Sequence, residues 1–258
     1  MTARTVKSEM RGGVLILTLN APEKKNAIST EMRTDLRDQL TQAMANADVR
    51  AIVLTGAAGT FCAGADVSQM VVKDISSARK RLRILHDVVR LLMTGEKPTI
   101  AAVEGHAVGA GLSLALACDF VVASETAKLG AVFAKMGLIG DCGLLWTLPQ
   151  RIGQAKARDM LFSAGIQNGS EALADGLIDA LVSPGEALDV AVNKAGDYAA
   201  VAPLAISATK SVLNKGASSI EDILAIEEDV GAKLAESADH AEAKQAFLEK
   251  RKPVFSGK

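Results

Sequence analysis

Four short stretches of the chain are apolar almost without interruption: Val14–Leu19, Ala51–Thr55, Thr99–Val103 and Phe120–Ala123. Each is rich in β-branched or aliphatic residues and ends at a glycine or a polar residue, which predicts a strand buried on both faces. Between them the period changes. Ser29–Ala45 opens with serine and threonine and then spaces its apolar residues at helical intervals, as does Ser77–Met93, so both read as capped amphipathic helices. Alternating strands and helices define an α/β class. The strand–loop–helix units around Ala51 and Thr99 share an outline that hints at a repeated ββα coil. After Pro184 the strand signal stops, and Ala187–Ala199, Ala205–Lys215, Ser219–Ser237 and Ala241–Lys250 all read as helix, with a break at Pro203. The expected division is residues 1–198 for the mixed core and 199–258 for a helical C-terminal region. Its apolar stripes are too wide for so short a segment to bury alone, which predicts self-association.

Composition narrows the function without choosing one. The 258 residues are 49% hydrophobic and 23% charged, with a formal net charge of −1. A basic excess that would favour nucleic acid is missing, and aromatics at 3% are too few for base-stacking platforms. Cys62, Cys118 and Cys142 are an odd, sparse set with no zinc spacing, which argues for a reducing compartment and against a disulfide framework or a metal site. No apolar run is long enough for a membrane helix, and the N-terminus does not read as a signal peptide, so a cytoplasmic location is expected.

Two turns built of small residues follow strands: Gly59-Thr60-Phe61-Cys62-Ala63-Gly64-Ala65-Asp66, and Gly105-His106-Ala107-Val108-Gly109-Ala110-Gly111, which leads into the apolar helix Leu112–Cys118. The first N–H groups of a helix have no intrahelical partner, and small residues let a ligand oxygen approach them. One N–H from each turn, aimed at a common point, would make an oxyanion hole, in which losing a donor costs roughly 2.7–4 kcal/mol of transition-state stabilisation. Taken alone, either turn is of the kind that usually exists for tight packing. Neither is a phosphate loop or a dinucleotide fingerprint, because the Lys-Ser/Thr pair and the third glycine are missing.

Taken together, Phe61–Asp66, Lys97–Gly105, Gly109-Ala110-Gly111 and Ala117-Cys118-Asp119 resemble the crotonase (enoyl-CoA hydratase/isomerase) superfamily. Asn20–Ala27 and the ending Ala246–Pro253 extend the resemblance over nearly the whole chain. It implies a crotonase-like spiral of ββα turns, a helical trimerisation region, trimers that pair into hexamers, and an acyl-CoA substrate. Coenzyme A then belongs to the substrate, and no separate cofactor is needed. By the same resemblance Ala63 and Ala110 supply the oxyanion N–H groups. Lys25 and Ala27, with Ala65 and Asp66, hold the adenine and ribose end of coenzyme A. Phe247 and Lys250 complete that pocket or, failing that, form a solvated helix face.

Hydratases of the superfamily use two glutamates, and the matching positions here are Ser113 and Phe133. Neither residue can activate water or carry the α-proton. Asp141 is the acid that remains, flanked in sequence by Leu138, Ile139, Leu144, Leu145 and Trp146, apolar neighbours expected to desolvate it and raise its pKa. The stretch Gly137–Trp146 is similar to the PaaG-type isomerases of phenylacetate degradation, whose matching aspartate is the acid/base. Gly140 and Leu144 depart from that group's proline and glycine. Read from the residues alone, Asp141 is a helix N-cap. The resemblance implies an isomerase that moves a C=C bond from Δ3 to Δ2 of an enoyl-CoA, or acts on a ring substrate of the 1,2-epoxyphenylacetyl-CoA kind, with Asp141 as acid/base. The alternatives are an enoyl-CoA hydratase, a hydrolase or dehalogenase, or a non-catalytic acyl-CoA- or RNA-binding member. His86 falls where 4-chlorobenzoyl-CoA dehalogenases of the superfamily carry a catalytic histidine; here it pairs with Asp141 in that role or merely lines the acyl pocket. The segment Val67–Ser76, beside the first turn, is expected to help set substrate choice.

Overall fold

The computed structural model describes residues 4–70, 74–216 and 219–258. Residues 71–73, inside the segment expected to influence substrate choice, lie outside the described set. In chain order the elements are β1 (Val6–Arg11), β2 (Val14–Leu19), α1 (Thr30–Ala45), β3 (Ala51–Gly56), α2 (Ile75–Thr94), β4 (Thr99–Val103), β5 (His106–Val108), α3 (Ala110–Leu116), β6 (Phe120–Ser124), β7 (Lys128–Gly130), α4 (Leu144–Phe162), β8 (Ile166–Asn168), α5 (Gly169–Asp175), β9 (Ala180–Val182), α6 (Ala187–Ala199), α7 (Pro203–Lys215), α8 (Ile220–Ala235) and α9 (Ala238–Glu249).

Six strands form the main sheet in the order β1-β2-β3-β4-β6-β9, parallel except for the β1–β2 hairpin. β5, β7 and β8 form a second, smaller sheet. The chain thus steps between two sheets as it winds, β4 to β5 and β6 to β7, which is the coil that the repeated ββα outline predicts. The four expected strands are β2, β3, β4 and β6. Their runs are continuous rather than alternating because both faces of the sheet are covered. In β2, Leu15, Leu17 and Leu19 enter the large core cluster together with residues of α1, α2, α3 and α4, whereas Val14 and Ile16 pack with Ala187, Ala191 and Ala195 of α6 on the opposite face.

The helix ends follow their capping chemistry. The Ser29 side chain accepts from Met32 N at 3.1 Å to start α1. Asp74 starts α2 through a reciprocal capping box with Ser77. α7 is fastened to the core by Lys210, which is buried on the helix and donates from Nζ to Leu92 O at 2.7 Å, Lys97 O at 3.0 Å and Asp119 Oδ2 at 2.6 Å. α8 has no buried residue, and among the described residues Leu213, Ile220, Leu224, Phe247 and Leu248 of the last three helices stay exposed.

Candidate active site

The two small-residue turns lie against each other. Cys62 and Ala107 form a parallel bridge, with Cys62 N donating to His106 O at 2.7 Å and Val108 N to Cys62 O at 3.1 Å. Gly109 has φ +56°, a conformation that glycine adopts without strain. At Gly111 a Cβ would stand 2.3 Å from Cys62 O, so only glycine allows the close approach of the turns. α3 starts at Ala110, where the N–H belongs to the unpaired first turn.

On the first turn the structure corrects the choice of donor. The Ala63 N–H is already bonded to Lys25 O at 3.0 Å and is not free to meet a ligand. The Ala65 N–H has no partner among the described residues. The reason is the pairing with Ile28, where Ile28 N donates to Gly64 O at 2.8 Å and Asp66 N donates to Ile28 O at 3.1 Å. Successive backbone groups in an extended segment face opposite sides, so the Ala65 N–H points away from Ile28.

Asp141 lies in the loop before α4. It is not a helix cap: the N-cap of α4 is Gly143, and no side chain bonds there. Asp141 Oδ1 is occluded from solvent and has no hydrogen-bond partner. Burial raises the Asp141 pKa above the ordinary aspartate range, while the Cys142 thiol, His86, Arg81 and Arg33 act in the opposite direction. The expected source of that burial is wrong, however. Leu138, Ile139, Leu145 and Trp146 are exposed, and of the five apolar neighbours only Leu144 is buried. Desolvation comes from packing across the fold. Val89 of α2 approaches to 3.1 Å of where a Gly143 Cβ would stand. Ser113 of α3, fully buried, donates its hydroxyl to Asp141 O at 3.0 Å.

Ser113 therefore occupies one glutamate position as a support for the Asp141 backbone. Phe133, at the other, is buried in the cluster that also holds Ala110 and Cys142. His86 is half-buried on α2 and acts electrostatically on Asp141. Cys62 and Cys142 are buried thiols whose pKa values burial pushes upward, Cys62 to about 12, so neither is a nucleophile at neutral pH.

The loop expected to hold the coenzyme is built around a residue to which the sequence reading assigned no role. Asn26 is fully buried at φ +55°, accepts from Ala21 N at 2.9 Å and donates to Ala57 O at 2.9 Å and to Thr60 O. It locks the Lys25–Ala27 loop onto the first turn and leaves the Lys25 side chain exposed. The available signal was its residue type, since asparagine tolerates the left-handed region. Asp66 is committed internally: Oδ2 takes Lys24 Nζ at 2.7 Å, and Oδ1 takes Ser68 N at 3.0 Å and Ser68 Oγ at 2.6 Å. These bonds hold its carboxyl below the usual range and make it a brace for the loop rather than a free acceptor for a ribose. Phe247 lies on α9 and Lys250 at its C-cap, and both are exposed.

The two-sheet coil, the apposed turns and the occluded acid beside them define a crotonase-fold enzyme. Residues 9–258 match the family model described as enoyl-CoA hydratase/isomerase, and the chain belongs to that family. It is 35% identical to the 1,2-epoxyphenylacetyl-CoA isomerase of Escherichia coli (strain K12) over 258 residues, covering 98% of each chain. It is also 32% identical to the short-chain-enoyl-CoA hydratase of Clostridium acetobutylicum, covering 98% of this chain and 97% of the other. A crystal structure of an enoyl-CoA hydratase from Polaromonas sp. JS666 superimposes with a TM-score of 0.92 at 34% identity, over 97% of this chain and 99% of that one. Relatives of both reaction types thus stand at similar distance.

Proposed function

We propose that the protein is an acyl-CoA isomerase that moves a C=C bond from Δ3 to Δ2, with Asp141 as its single acid/base and the N–H groups of Ala65 and Ala110 as its oxyanion hole. The observation that carries this reading is the occluded, unpartnered Asp141 Oδ1, in a carboxyl that burial pushes above the ordinary aspartate range while the basic side chains of His86, Arg81 and Arg33 act in the opposite direction. Hydration calls for a second group to handle water. The two positions that would supply carboxylates hold a serine bound to backbone and a buried phenylalanine.

In the proposed mechanism the thioester carbonyl accepts from both N–H groups. Asp141 removes a proton from C2, and the electron pair spreads into a dienolate whose oxygen the two donors stabilise. The protonated carboxyl then delivers its proton to C4, the double bond is left conjugated with the thioester, and Asp141 returns to its starting state. One base serves both carbons because they lie on one face of the planar dienolate. The coenzyme end is proposed to lie along the Lys25–Ala27 loop. Phe247 and Lys250 of a neighbouring subunit would reach it only in an oligomer, and a homo-trimer or a pair of trimers is proposed on the exposed apolar residues of the last three helices.

The test is a paired assay of one purified sample. 3-Hexenoyl-CoA should be conjugated rapidly, and crotonyl-CoA hydrated slowly or not at all, followed by thioester absorbance and by mass. Rapid hydration would overturn the one-base reading. The nearness of His86 to Asp141 supports one second reading, hydrolytic dehalogenation, in which Asp141 attacks a ring carbon and His86 activates water. Chloride release from 4-chlorobenzoyl-CoA tests it directly.

A further inference from the structure

Directly after Asp141 the backbone is left-handed twice, at Cys142 (φ +53°) and at Gly143 (φ +81°). Glycine takes that region freely, but for cysteine it is unfavourable and persists only where surrounding contacts impose it. Leu138 and Ile139, just before, are exposed and lend the loop no packing. Leu144 N bonds Asp141 O at 3.1 Å, and Trp146 N and Thr147 N bond Gly143 O at 2.9 and 3.0 Å, all of them links to the adjoining first turn of α4. Among the described residues, the one hydrogen bond that joins 139–143 to a distant element is that of the Ser113 hydroxyl, 3.0 Å from Asp141 O.

Ser113 has one hydroxyl proton to give and two carbonyls within reach. Gly109 O is 3.3 Å away and already accepts from Ser113 N at 3.1 Å. Asp141 O is the nearer acceptor, so the proton is assigned to it. A serine inside a helix commonly returns its hydroxyl to the carbonyl four residues earlier; here the bond leaves the helix and spans 28 residues of chain. Ser113 is fully buried, so water does not compete for it. It stands one turn after Ala110 on α3, and all seven residues of that helix are buried. The proposed oxyanion donor and the loop of the acid/base are thereby parts of one hydrogen-bonded unit.

We propose that Ser113 is a positioning residue. Its hydroxyl ties the Asp141 loop to the helix that begins with Ala110, and so sets where the carboxyl stands relative to the bound thioester. It touches no reacting atom; it acts through Asp141, and a small displacement of such a group is enough to slow a reaction severely. This inference rests on the reading of Asp141 as acid/base and of Ala110 as oxyanion donor, but the bond itself can be tested without any substrate.

The test compares the full-length protein with Ser113→Ala, which removes the hydroxyl and leaves α3 a strong helix former. Amide hydrogen exchange, followed by mass spectrometry, should quicken about two- to tenfold across residues 137–146, as the loss of one neutral hydrogen bond implies, and stay as it was in β4 and β6. With 3-hexenoyl-CoA, kcat should fall about tenfold or more while KM changes little. The acid limb of kcat/KM against pH should move down toward the ordinary aspartate range, because a loosened loop admits water to a carboxyl that burial holds high. His86, Arg81, Arg33 and the Cys142 thiol, which also act on that carboxyl, are the same in both proteins. A protein that is merely less stable would lose active molecules without moving the limb. Unchanged exchange across 137–146 overturns the proposal whatever the activity, and so does faster exchange with an acid limb that stays in place. A parent protein inactive on 3-hexenoyl-CoA sinks the isomerase reading instead, and the exchange result still decides whether Ser113 holds the loop.

Discussion

Asp141 joins function to stability. Because its folded pKa is raised, the native state holds a proton that the unfolded chain releases earlier. Ionisation therefore opposes folding: the residue's contribution to stability declines as pH rises from the unfolded aspartate value through the folded one. Asp141→Asn should raise the melting temperature at neutral pH and lose that advantage in acid, measured as Tm against pH for both proteins. The same substitution should lower isomerase turnover by about 10²–10⁴-fold while leaving acyl-CoA binding in place; parallel loss of both would mark Asp141 as structural. In the parent enzyme, kcat/KM should fall on the acid side as Asp141 becomes protonated, with a midpoint above that of an ordinary aspartate. Asp141 could be picked out only through the family resemblance, whose two glutamate positions hold serine and phenylalanine here; the residue types by themselves pointed to a helix cap. The choice between Ala63 and Ala65 could not be read that way. Both are alanines in one turn, and which N–H is left over depends on pairing with Lys25 and Ile28, residues distant in sequence.

At the scale of elements, α1, α2, the helical ending and the strands β2, β3, β4 and β6 were legible because their periods and caps are local properties. β5, β7, β8 and β9 were not, since three-residue strands carry too little pattern to stand out. Their existence depends on the partner strand supplied by the next turn of the coil. α7 depends on a similarly distant contact. Lys210 is buried against Asp119 and two carbonyls, and Asp119 also accepts from Thr99 N at 2.8 Å and Thr99 Oγ1 at 3.0 Å. Lys210→Ala would leave a partly buried carboxylate without its cation, and should cost about 3 kcal/mol. Denaturant midpoints at constant m-value would measure this, and a loss below about 1 kcal/mol would show that α7 is held by its apolar contacts instead.

For the whole molecule, the C-terminal helices present apolar surface that the chain itself does not cover. An apolar groove of about 610 Å³ runs along α7, lined among others by Tyr198, Val201, Ile206 and Leu213. Light scattering on a size-exclusion column should therefore report a trimer or hexamer, and Tm should rise with protein concentration. A monomer at tens of micromolar would refute the assembly and leave Phe247 and Lys250 without a route to the coenzyme. No helix among the described residues is long and apolar enough to cross a membrane.

The residues in order were enough to determine the α/β alternation, the helical ending and the two glycine-rich turns, because hydrophobic period, capping and residue type are short-range. Only the tertiary structure decided which backbone N–H stays free, that Asp141 caps nothing, and that four of its five apolar sequence neighbours face outward. Each of these depends on contacts between segments dozens of residues apart, where occlusion and hydrogen-bond competition, rather than local preference, settle the outcome.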